Sequence, residues 1–370
     1  MAELYAGLMS GTSMDGIDAA LVEFDDSEIK LIASHSHTIP TDLKSKLSLL
    51  SLNSEIATID MLGEADAELG SLFADAINKL LSVAGIHASE VTGIGSHGQT
   101  IRHRPDLPHR FTMQIGDANK ISYKTGITTV ADFRRKDMAA EGEGAPLAPA
   151  FHQQVFHSAN ENRAILNIGG ISNLTYLPKD EDQPCFGFDC GPGNILMDAW
   201  IQRHQKLAFD KNGEWACSAN ADKSLVTLLM NDEFIRQPPP KSTGKEHYHL
   251  GWLEQQSHIK KLDAATVQAS LCQYTTDSII YAIENYLPKL DRLIICGGGA
   301  HNVHLISLLE NGLSNTDIET SEKHGIHPDW VEAIAFAWLA RKTLNRQSGN
   351  LPAVTGAKHG VILGAIYPAN

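Results

Sequence analysis

Residues 9–18 read "MSGTSMDGID" and place glycines at 11 and 16, hydroxyls at Ser10, Thr12 and Ser13, and carboxylates at Asp15 and Asp18 between the apolar runs Leu4–Met9 and Ile17–Phe24. Glycine lets backbone approach a ligand closely and take up positive φ. Successive N–H groups in such a turn make an anion-binding nest. Thr12 and Ser13 add donors, and Asp15 and Asp18 are oxygen ligands suited to a hydrated Mg²⁺. The combination describes a phosphate clamp on a hairpin. A plain turn is the alternative, although two residues of Asn-Gly type would suffice for that.

Three further stretches carry chemistry. "FGFDCGPGN", Phe186–Asn194, sets Asp189 at the end of an apolar strand, ahead of Gly-Pro-Gly and a helix over Ile195–His204. A carboxylate there can act as general base, a role worth roughly 10²–10⁴-fold, and the helix N-terminus beyond it favours an anion. An Asx-turn is the alternative. "CGGGAHN", Cys296–Asn302, offers Gly297, Gly298 and Gly299 as a flat backbone surface for an adenine ring or ribose, or as a tight strand-to-helix turn. "ADFRRKDMAAEGEGAPLAP", 131–149, holds Arg134, Arg135 and Lys136. Arginine forks pair with carboxylates bidentately, and a solvated charge cluster is the alternative. The 17 His include no His-Glu-x-x-His, and those of "SHGQTIRHRPDLPH" lack acidic ligands at metal-binding spacing, so they read as polar groups of a cleft or surface.

The elements that must position these residues alternate between strand and helix, which indicates an α/β fold. Strands are expected at Leu4–Met9, Asp18–Phe24, Val91–Ser96, Arg163–Ile168, Leu174–Leu177 and Arg292–Cys296. Helical spacing marks Ile56–Ala84, stopping before Gly85, and also Ala265–Tyr286 and Trp330–Leu344. "QPPPKSTGKEHYH", 237–249, is the strongest break and reads either as a surface connector or as a binding loop or lid. "GLMSGTSMDGIDAALVEF" and "LNIGGISNLTYL" share one plan of strand, small-residue turn and strand, which suggests two related domains facing each other across a cleft.

With 370 residues the chain can bury a core in each of two domains, and its 42% hydrophobic and 20% charged content fits a globular protein in water. A net charge of −14 argues against general nucleic-acid binding and against docking on an acidic membrane. No secretory signal or membrane-spanning run is evident. The five Cys are scattered and form no Cys-x-x-Cys pair, pointing to a reducing, cytoplasmic setting with neither disulfide framework nor zinc. The absence of G-x-x-x-x-G-K-[ST] and of G-x-G-x-x-G disfavours a P-loop NTPase and a dinucleotide-binding domain.

Taken in order, "MSGTSMDGID", "SHGQTIRHRP", "ADFRRKDMAAEGEGAPLAP", "LNIGGISN", "FDCGPGN", "PPPKSTGKE", "CGGGAHN" and the closing "LPAVTGAKHGVILGAIYP" resemble the anhydro-N-acetylmuramic acid kinase family. The resemblance implies a two-domain, actin-like (ribonuclease H-like) fold with ATP and sugar in the interdomain cleft. It implies an N-terminal domain of residues 1–130 plus 351–370 and a C-terminal domain of 131–350. The implied reaction uses ATP and water to convert 1,6-anhydro-N-acetylmuramic acid to N-acetylmuramic acid 6-phosphate in peptidoglycan recycling. By the same resemblance Asp189 is the catalytic base. The nucleotide contacts are Gly11, Thr12, Ser13, Met14, Asp15, Gly16, Ile17 and Asp18, with Gly169 and Gly170 at a second hairpin and Gly297–Gly299 beside the adenosine. Arg134, Arg135, Glu332, His97 and Gln99 are expected on the substrate side, and Asp15 and Asp18 at Mg²⁺. Relatives of this fold often carry an Asp just before the first Gly-Thr turn; here that place is Met9-Ser10, which shifts the metal role to Asp15 or Asp18. A homodimer is implied too. The readings left beside this one are a kinase of the same fold acting on an ordinary amino-sugar hydroxyl, and a non-catalytic nucleotide-binding actin relative.

Overall fold

A computed structural model describes residues 2–11, 14, 16–25, 29–51, 56–256 and 258–369. Its strands are β1 (Glu3–Ser10), β2 (Gly16–Phe24), β3 (Ile29–Thr38), β4 (Val91–Arg104), β5 (Phe111–Ile115), β6 (Thr129–Ala131), β7 (Arg163–Ile168), β8 (Ile171–Leu177), β9 (Phe186–Pro192), β10 (Arg292–Cys296), β11 (Asp317–Thr320) and β12 (Ala365–Tyr367). The chain divides into two compact units, one of Met1–Phe151 with Trp330–Asn370 and one of His152–Asp329. The division falls at 151/152 and 329/330, not at 130 and 350, because helix Val331–Leu344 packs on β1, β2 and β4 of the first unit.

In the first unit the sheet runs β12-β6-β4-β1-β2-β3, with β5 paired to β4. The β1–β2–β3 meander is antiparallel, whereas β1–β4 and β4–β6 are parallel. In the second unit the order is β11-β10-β7-β8-β9. There too an antiparallel meander, β7–β8–β9, continues into the parallel pairs β7–β10 and β10–β11. Each unit therefore repeats one plan: a three-strand meander, a crossover, and parallel strands added beside the first strand. Repetition of this α/β plan defines the two-domain actin-like, ribonuclease H-like fold.

Apolar periodicity accounts for the layers. Helix Ile59–Ala84 turns Leu69, Phe73, Ile77 and Leu80 into a core shared with Leu8, Ile17 and Ile94. It begins at Ile59, later than the apolar pattern, because the Thr58 side chain accepts from Met61 N, and it ends at Gly85 in the left-handed conformation, φ 69°. The second core gathers Leu166, Ile168, Phe188, Trp200, Leu293 and Ile295 under helix Ala264–Tyr286. Each such side chain, fully buried, contributes roughly 1.5–3 kcal/mol.

Helix Val331–Leu344 lies so close to its sheet that Cβ atoms are excluded. One added at Gly7 of β1 would fall on the Ala333 carbonyl oxygen, and one at Gly95 of β4 on that of Phe336. Among the described residues no helix is long and apolar enough to cross a membrane.

Candidate active site

The first unit presents the turn between β1 and β2, whose register closes with Met9 opposite Asp18. Thr12, Ser13 and Asp15 lie outside the described residues. The Met14 N–H donates to the Gly11 carbonyl oxygen at 3.2 Å, and Met14 has φ 58°. Met14 and Ile17 bury their side chains in the core, so a ligand at this turn meets their backbone. Gln99, fully buried on β4, braces the turn: its Nε2 donates to the Gly11 carbonyl oxygen at 3.1 Å, and the Ser10 hydroxyl donates to its Oε1 at 2.7 Å. A glutamine 89 positions away thus holds the β1 side of the turn at Ser10 and Gly11.

His97, two residues earlier, is buried against Phe336, with ring centroids 4.7 Å apart. Its Nε2 accepts from Arg134 Nε at 3.2 Å and lies 2.9 Å from Arg134 Nη2. An acceptor Nε2 requires a neutral ring, and burial beside the guanidinium holds the His97 pKa well below the ordinary imidazole range. Arg134 Nη1 donates to the Gly144 carbonyl oxygen at 3.0 Å. Burial lowers the Arg134 pKa to about 10, opposed by the carboxylates of Glu332 and Asp137. Arg135 points elsewhere, pairing its Nε with Asp132 at 2.7 Å on an exposed side chain. Glu332 sits in the first turn of helix Val331–Leu344 with a solvent-open side chain. The protein packed around it and the neighbouring Asp18 nevertheless raise its carboxyl above the ordinary range, with Arg134 opposing.

One organising residue in this unit was not singled out from the sequence. Asp137 is wholly buried and accepts from Gly144 N at 2.8 Å, Asn350 Nδ2 at 2.7 Å and the Thr355 hydroxyl at 2.7 Å. It ties the arginine-bearing segment to the closing "LPAVTGAKHG" stretch. Glu143 N–H reinforces the tie by donating to the Thr355 carbonyl oxygen at 2.8 Å, and Lys358 pairs with Glu141.

In the second unit Gly169 and Gly170 form the turn between β7 and β8. Gly193 N–H donates to the Gly170 carbonyl oxygen and Asn194 N–H to that of Gly169, each at 2.8 Å. Ile195 N–H donates to the Gly170 carbonyl oxygen at 3.1 Å. The N–H groups of Gly193 and Asn194 and the first of helix Ile195–Gln205 thus brace the turn. Gly297, at φ 78°, and Gly299 pack against Asn167 and Ile168 at the end of β7, leaving Gly298 with open space where a Cβ would stand.

Asp189 lies within β9, which continues through Cys190 and Gly191 to Pro192, so the strand does not end on the carboxylate as expected. Its Oδ2 accepts from the Ser242 hydroxyl and from Thr243 N–H, each at 2.9 Å. Burial raises its pKa above the ordinary carboxylate value, with those two hydrogen bonds and Lys241 opposing and Glu246 adding to the rise. The Pro-rich segment is thus a strap on Asp189. In the sequence the segment is a break whose crowding of hydroxyls and lysines alone hints at a partner for the carboxylate.

The described residues hold no cluster of three or more His, Cys, Asp or Glu able to bind a metal ion. Mg²⁺ bound to phosphates needs only one or two carboxylates. Asp18, opposite Met9 where the β1–β2 ladder closes, is a carboxylate placed at that turn.

The repeated meander-and-crossover plan of the two units defines the class as the two-domain actin-like fold. The profile of the anhydro-N-acetylmuramic acid kinase family matches residues 3–369, and the chain belongs to that family. The anhydro-N-acetylmuramic acid kinase of Shewanella sediminis is 50% identical over 368 residues, covering 99% of each chain. That of Coxiella burnetii is 49% identical over 365 residues, covering 99% of this chain and 97% of the relative. Component A of the (R)-2-hydroxyglutaryl-CoA dehydratase of Acidaminococcus fermentans superposes with a TM-score of 0.48 at 14% identity, covering 93% of this chain and 99% of that one, too distant to bear on function.

Proposed function

We propose that the chain is an ATP-dependent kinase that converts 1,6-anhydro-N-acetylmuramic acid and water to N-acetylmuramic acid 6-phosphate in cell-wall recycling. Full-length family membership supports the substrate, and the observation that carries the mechanism is the partly buried Asp189, whose side-chain hydrogen bonds among the described residues all fall on Oδ2. The anhydro sugar has no free 6-hydroxyl, so transfer of phosphate requires opening of the bridge. Asp189 takes a proton from water as the water oxygen bonds to the anomeric carbon. The C1–O bond to the bridging oxygen breaks, that oxygen bonds to the γ-phosphorus of ATP, and ADP leaves.

Gly11, Gly16, Asp18 and the backbone at Met14 and Ile17 serve the nucleotide, together with Gly169, Gly170 and Gly298. Thr12, Ser13 and Asp15 share that role on sequence grounds. Gly297 and Gly299 shape the surface that Gly298 presents. Arg134 and Glu332 serve the sugar; His97 and Gln99 act by holding Arg134 and the β1–β2 turn, and Arg135 supplies positive charge nearby. Mg²⁺, held by Asp18 with Asp15, would offset phosphate charge. The two compact units are the enzyme's domains, and a cytoplasmic homodimer completes the reading.

Turnover in ¹⁸O-water tests it: label entering C1 is expected, and label-free product would point instead to an ordinary hydroxyl acceptor. Asp189→Asn is expected to lower kcat by roughly 10²–10⁴-fold while ATP still binds. Because the base acts only when ionised, kcat/KM falls as pH drops through the Asp189 pKa, which lies above the ordinary carboxylate value; a wild-type rate in the Asn variant would remove it from the reaction.

A further inference from the structure

Three residues of the 237–249 strap converge on Asp189. The Lys241 carbonyl oxygen accepts from Asp189 N–H at 3.1 Å, Ser242 and Thr243 donate to Oδ2, and no hydrogen bond reaches Oδ1 among the described residues. The strap is itself pinned. Lys241, 8% exposed, donates from Nζ to the carbonyl oxygens of Phe234 at 3.0 Å and Ile235 at 2.9 Å, and lies 4.8 Å from the Phe234 ring centroid and 5.3 Å from that of Tyr286. A buried ammonium is costly unless its donors are satisfied; here two carbonyls and two ring faces satisfy it, so the lysine is an anchor.

We propose that Lys241, Ser242 and Thr243 are positioning residues for the proton transfer: Lys241 anchors the strap, and Ser242 and Thr243 fix Asp189 through Oδ2 so that Oδ1 meets the attacking water. This rests on the reading of Asp189 as the base. Two donors on one oxygen select a single carboxylate rotamer, and both favour the ionised form. The charged and titratable groups acting on Asp189 are Lys241, which favours ionisation, and Glu246, which opposes it, with Cys190 beside it on β9. Loss of the Ser242 hydroxyl removes one of the opposing contributions, so the Asp189 pKa moves further up.

The test is the pH profile of kcat/KM, with kcat and KM for both substrates, in the full-length enzyme carrying Ser242→Ala, Ser242→Thr, Lys241→Met or Asp189→Asn. For Ser242→Ala the expected result is a fall of about tenfold in kcat, little change in either KM, and an acidic limb displaced to higher pH; Ser242→Thr restores both. Lys241→Met shows the same displacement if it folds, and the Ser242 pair decides the matter if it does not. An unmoved limb in Ser242→Ala, or a loss confined to KM, overturns the inference. An inactive Asp189→Asn beside an unaltered Ser242→Ala overturns this inference alone, whereas an active Asp189→Asn overturns the reading beneath it.

Discussion

In the first unit the turn after the leading strand is braced by a buried side chain from another strand besides its own main chain, in the second by backbone N–H groups of the strand end and helix that follow. Gln99, from β4, reaches back to Ser10 and Gly11. In the other unit residues 193–195, from the end of β9 and the helix after it, donate backbone N–H groups to the Gly169 and Gly170 carbonyls. The first unit further depends on helix Val331–Leu344, laid on Gly7 and Gly95 from the far end of the chain. The same sheet plan is thus stabilised by distant parts in one unit and by adjacent ones in the other. A turn held by main chain tolerates changes of side chain that a turn held by a buried glutamine does not.

The contrast can be broken most severely at Gly95. Gly95→Ala places a methyl on the Phe336 carbonyl oxygen, and a loss of about 3 kcal/mol or more is expected. Thermal unfolding measures it; a wild-type Tm would show that the helix can lift from its sheet without penalty. A smaller effect is expected from Gln99→Leu, which removes one of the two donors on the Gly11 carbonyl, the Met14 N–H remaining, and should cost roughly 0.5–1.5 kcal/mol. Its KM for ATP should rise as the turn loosens, and an unchanged KM would detach Gln99 from the nucleotide. The mildest change sharpens the other side. At Gly170 an added Cβ meets nothing closer than Ile195 Cβ at 3.8 Å, so Gly170→Ala should leave stability within about 0.5 kcal/mol. Calorimetry should nevertheless show weaker ATP binding, because the methyl occupies space reserved for ligand. Equal affinity would mean that this turn does not touch the nucleotide.

Much of the architecture was legible because it is local. Short, nearly continuous apolar runs mark β1, β2, β7 and β10, and the likeness of "GLMSGTSMDGID" to "LNIGGISN" reflects the equivalent places of the two turns in their sheets. Asp189 stood out because its strand leads into Gly-Pro-Gly. Its partners did not, since Ser242 and Thr243 are more than fifty positions away and no periodicity links them. Asp137 was hidden for the same reason: its donors Asn350 and Thr355 come from the other end of the chain. The sequence offers Arg134 as a fork for a carboxylate but gives no sign that three of its nitrogens engage His97 and the Gly144 carbonyl oxygen. Such long-range polar pairing depends on topology, which composition and spacing do not encode.

The discontinuity of the first unit also sets an order of assembly during synthesis. His152–Asp329 is one continuous stretch, so its hydrophobic core can close as soon as that stretch has left the ribosome. Residues 1–151, although made first, must wait with the bare glycine faces of β1 and β4 uncovered until Trp330–Leu344 emerges. The stretch made before the second unit is therefore completed after it, and a nascent chain stalled before residue 330 would leave that sheet face uncovered.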